Sequence, residues 1–99
     1  SGSSNNKRFG NKINFTYESI NQAVSEIEES VNNDPDISDD NKESARQKIS
    51  EINKQISKKT KPDKVKSMLS GLKKFLLEVG SNVAAGFIQS KIQELFPGV

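Results

Sequence analysis

The residues with the most suggestive chemistry lie in one acidic run, Asn32-Asn33-Asp34-Pro35-Asp36-Ile37-Ser38-Asp39-Asp40-Asn41-Lys42-Glu43. Asn32, Asp34, Asp36, Ser38, Asp40 and Glu43 fall at loop positions 1, 3, 5, 7, 9 and 12, the ligand spacing of an EF-hand. Calcium needs these oxygens to converge, and glycine at position 6 makes the sharp turn that converges them. Here position 6 is Ile37, Pro35 sits inside the loop, and the first ligand position holds Asn instead of Asp. A turn followed by a helix start accounts for the same residues, so no metal is assigned.

Other chemistries are narrowed by what the chain lacks. It has no histidine and no cysteine, so the usual zinc sites, Ser-His triads and Cys-His dyads cannot be assembled. Lysines, carboxylates, serines and Tyr17 remain, and they form no recognisable catalytic constellation. The carboxylates fall on expected solvent faces. The chain is read as non-catalytic, with no cofactor and no evident small-molecule substrate.

A second cluster is basic: Lys54, Lys58, Lys59, Lys61, Lys64 and Lys66. It holds no arginine for bidentate base readout and no interleaved aromatic ring for stacking, which disfavours nucleic acid. A solvated loop with helix-end charges explains it plainly. Coupled to an apolar last helix, the same lysines would suit an anionic membrane surface.

These clusters belong to a wider segregation. From Glu18 to Glu51 there are ten acids against Lys42, Arg46 and Lys48; from Lys54 to Lys74 there are eight lysines against Asp63. The net charge of +2 therefore conceals strong local fields of opposite sign.

Helices must position these charges. Ile20, Val24, Ile27 and Val31 repeat at four-three-four spacing, and Ala45, Ile49, Ile52 and Ile56 repeat it. The first stripe predicts a helix over 17–32, capped by Thr16 and stopped by the Asn, Asp and Pro of 32–36. The second predicts a helix opening at Ser38 or Asp39, with Asp40 and Glu43 at capping-box spacing and Ile37 as a hydrophobic staple. A short polar connection makes the two an antiparallel hairpin. After a polar link over 57–61, Pro62 opens a third helix striped by Val65, Leu69, Leu72, Leu76 and Val79, widened by Met68 and Phe75. Gly71 within it is expected to allow a close helix approach.

Gly80, followed by Ser81 or Asn82 as cap, is a natural break before a fourth helix over 83–96. That helix is apolar over a wide arc: Val83, Phe87, Ile88, Ile92, Leu95 and Phe96, with Ala84, Ala85 and Gly86 beside them. Either it folds back to complete a four-helix bundle, or it continues the third helix and sends its apolar end to a partner. A turn at Gly80 is the reading adopted. Gly80, Ala84 and Gly86 could also let two backbones approach, although a hinge before a good helix former explains them.

The fold class is thus all-α, an antiparallel bundle of three to four helices over 17–97. Residues 1–16 are read as a flexible or extended lead-in, with 1–4 resembling a cloning remnant. Within it KINFTY, residues 12–17, alternates Ile13, Phe15 and Tyr17 at strand period. The preferred reading is an extended segment whose aromatics cover one end of the bundle. An edge strand completed by a second copy is the alternative.

The I-S-D-D-N-K-E helix start, the K-K-T-K-P-D-K link, the leucine-rich helix and the apolar tail resemble small helical modules of uncharacterised bacterial proteins, including phage-defence and effector proteins. The Gly10-Asn11-Lys12 lead-in is similar to the links that precede such modules. The resemblance implies an accessory or assembly domain and assigns no functional residue. The expected function is protein–protein interaction or oligomerisation through Val83, Phe87, Ile88, Ile92, Leu95 and Phe96. The competing expectation is attachment to an anionic membrane surface. The expected compartment is the cytoplasm, and no apolar run is long enough to cross a membrane.

Overall fold

Four amphipathic helices each need a partner for one apolar stripe, and the chain satisfies all four in a closed ring. The computed structural model describes residues 16–96. Helices α1 (Tyr17–Asn32), α2 (Asp39–Ser57), α3 (Pro62–Glu78) and α4 (Asn82–Leu95) follow in order. α1 packs on α2, α2 on α3, α3 on α4 and α4 back on α1. Contacts across each pair pair the start of one helix with the end of its neighbour. Arg46 Nη1 reaches Asn32 Oδ1 at 3.0 Å, and the Tyr17 hydroxyl reaches the α2–α3 link. The result is an up-down-up-down four-helix bundle.

The core is the sum of the expected stripes. Ile20, Val24, Ile27 and Val31 of α1 are buried, as are Ala45, Ile49, Ile52 and Ile56 of α2. α3 contributes Val65, Leu69, Leu72 and Leu76, and α4 contributes Ala84, Ala85, Ile88, Ile92 and Leu95, with Phe96 just beyond it. Each fully buried branched side chain stabilises the fold by about 1.5–3 kcal/mol in transfer free energy.

The helix ends follow from local chemistry. Thr16 Oγ1 accepts from Ser19 N at 2.9 Å, and Ser38 Oγ accepts from Asn41 N at 3.2 Å. With Ser38 as the cap, the expected Asp40–Glu43 capping box does not form; Glu43 pairs instead with Arg46 at 2.9 Å. The position facing Ile37 in a staple is then Lys42, and Ile37 goes into the core. α2 and α3 end alike. Lys59 N donates to Ile56 O and Thr60 N to Gln55 O; Gly80 N donates to Leu77 O and Ser81 N to Leu76 O. Both are Schellman closures, which require a left-handed residue. Gly80 supplies it at φ +92°, whereas at the other site Lys59 adopts φ 57°.

Gly71 departs from expectation. It is exposed, and a Cβ built there would meet nothing within 4 Å, so no helix within the bundle uses the missing side chain. Tyr17 begins α1 and packs on the core; Ile13 and Phe15, and with them the extended-segment and edge-strand readings, lie outside the described residues.

Candidate functional site

The acidic run does not assemble a cation site. Asp34 is buried and turns inward: Oδ1 accepts from Asp36 N at 2.8 Å, and Oδ2 accepts from the hydroxyl of Ser81. Ser81 is fully buried and its Oγ in turn accepts from Ala84 N at 3.3 Å, which caps α4. The latch therefore ties the α1–α2 turn to the α3–α4 turn. Its donors hold the Asp34 carboxyl below the usual carboxylate range, the Ser81 hydrogen bond foremost, then the backbone N–H of Asp36. Among the described residues, no group of three or more carboxylates is placed to hold a metal ion.

Of the residues expected to form an interface, Ile88, Ile92, Leu95 and Phe96 are core. The turn at Gly80 folds α4 onto α1 and α3, which consumes this arc and corrects the expectation that these four face a partner. Phe87 is half-buried, with Lys91 Nζ 5.1 Å from its ring centroid. Lys91 also reaches Glu26 of α1 at 2.6 Å and lies 3.8 Å from Glu94. The Glu26 contact lowers the glutamate pKa and raises that of the lysine.

Val83 alone among the expected residues is open, at 73% exposure. The outward side of α4 runs through Asn82, Val83, Gly86, Ser90 and Gln93, all exposed and all uncharged, with Glu94 at its edge. The other three helices carry several charges each on their outward sides. Gly86 sits mid-helix with nothing within 4 Å of a built Cβ, so the bundle itself gives no reason for it. Leu77, near the end of α3, is 48% exposed.

The basic patch is real as a surface, because the topology gathers it at one end of the bundle. Lys54 lies in the last turn of α2, Lys58 caps it, Lys59 and Lys61 lie in the link, and Lys64 and Lys66 open α3. Tyr17 donates its hydroxyl to Thr60 O at 2.7 Å and lies 3.0 Å from Lys59 O, bringing the start of α1 to this end. Lys66 Nζ, 6.0 Å from the Phe96 ring centroid, brings the end of α4. Among the described residues none of the six lysines has a carboxylate within ion-pairing distance.

A surface concavity lined by Glu18, Asn21, Gln22, Ser25, Glu28, Asn53 and Ser57 between α1 and α2 is open and polar. It lacks the apolar lining that holds small organic ligands. No described helix is long and apolar enough to cross a membrane. Comparison with protein-family models, with curated proteins and with solved structures returned no match.

Proposed function

We propose that the chain is a non-catalytic association module that pairs with a second copy of itself through the outward side of α4. The observation that carries this reading is Val83, a branched aliphatic residue 73% exposed on an otherwise uncharged helix face. A two-fold contact sets a surface against itself, so a face of a single charge sign would meet its own sign. The outward side of α1 carries only acids and would repel a copy, and those of α2 and α3 carry charges of both signs; that of α4 sets no charge against its copy. Gly86, which costs about 0.5–1 kcal/mol relative to alanine in a helix, removes a side chain where two such helices would cross. One short helix face is a small interface, so the association is weak and reversible.

Amide NMR spectra of the full chain, recorded from micromolar to about 1 mM, test this. Concentration-dependent shifts at Val83, Gly86, Ser90 and Gln93 are expected. Spectra independent of concentration, or shifts confined to another helix, would remove the proposal.

A further inference from the structure

We propose a second, separate binding surface: the lysine end of the bundle seats on an anionic lipid bilayer. Six lysines from the end of α2, the link and the start of α3 converge there without carboxylate partners among the described residues. Unpaired ammonium groups on flexible stems suit a diffuse negative surface, where each adds to attraction within a Debye length. The acids near this end, Glu18, Asp63 and Glu94, are too few to neutralise it.

Lys59 occupies a left-handed position at φ 57° in the link, with its ammonium over the Tyr17 ring at 5.0 Å. The sequence before Thr16 carries Lys7, Arg8 and Lys12 and no carboxylate. Nucleic acid is the less suitable occupant. No arginine lies among the six, and the two rings at this end are engaged: Tyr17 through its hydroxyl and under Lys59 at 5.0 Å, Phe96 by burial.

Co-sedimentation of the full 99-residue chain with phosphatidylcholine vesicles, with and without phosphatidylserine, decides the matter. The expected result is binding only to the anionic vesicles, weakening as salt rises. A Lys58→Gln, Lys61→Gln, Lys64→Gln variant changes exposed groups that make no side-chain bond, so it should keep its helical spectrum. It is expected to lose on the order of 100-fold in affinity. A Lys42→Gln, Lys48→Gln, Lys74→Gln variant removes the same charge elsewhere and should bind far more like the parent chain. Absence of binding at low salt, equal loss in both variants, or tighter binding to a DNA duplex than to the vesicles would overturn the proposal. Pairing through α4 is a separate matter, since Val83→Asp leaves the lysine end untouched.

Discussion

Ser81 does more than its position after a helix-breaking glycine suggests. Its hydroxyl donates to a buried carboxylate from the opposite turn while its oxygen caps α4. Ser81→Ala removes the cap and leaves Asp34 Oδ2 without its donor, so a loss of about 1–3 kcal/mol is expected in urea unfolding. The pH dependence has a definite sign. Asp34 titrates below its ordinary 3.8 in the folded chain, so its contribution is complete above that value and is lost as pH falls through the lowered pKa. Lys91 titrates above its ordinary 10.5, so the Glu26 contact contributes below that pH and is lost as pH rises past it. Thermal melts should accordingly show wild type losing more stability than Ser81→Ala on acidification below pH 3.8. Equal losses would show that the latch does not set the Asp34 pKa.

At the scale of elements, the two Schellman closures differ in one residue and invite opposite substitutions. Gly80→Ala forces a Cβ into φ +92° and should cost about 1–2 kcal/mol, whereas Lys59→Gly should gain up to about 1 kcal/mol, both read from denaturant midpoints. Gly71→Ala fills open space and should stabilise by about 0.5–1 kcal/mol. Much of this level was legible in the sequence because it is local. The four-three-four stripes gave the buried faces of α1, α2 and α3, and Thr16, Pro62 and Gly80 marked helix ends within two residues. The wide apolar arc of α4 was ambiguous because a core stripe and an interface use the same residues. Only the return at Gly80 assigns Ile88 and Ile92 inward and Val83 outward. The Asp34–Ser81 and Glu26–Lys91 contacts were not legible at all, since they join residues distant in sequence whose types also suit turns and solvent.

For the molecule as a whole, charge and apolar surface are sorted onto different places. The turns between α1 and α2 and the start of α2 gather Asp36, Asp39 and Asp40; the opposite end gathers the lysines; and the outward side of α4 carries neither. The two proposed surfaces would therefore be separate, a second copy along one side and an anionic bilayer at the lysine end. α4 faces inward to close the bundle, and its outward side is proposed to meet a second copy. Sedimentation equilibrium on wild type and Val83→Asp at matched concentrations, with circular dichroism melts of each, tests it most directly. The expected result is a wild-type mass rising above that of one chain with concentration, and a Val83→Asp mass that stays at 10.9 kDa or close to it with an unchanged melt. A wild type that remains a single chain throughout, or a Val83→Asp chain that associates equally well, would contradict it.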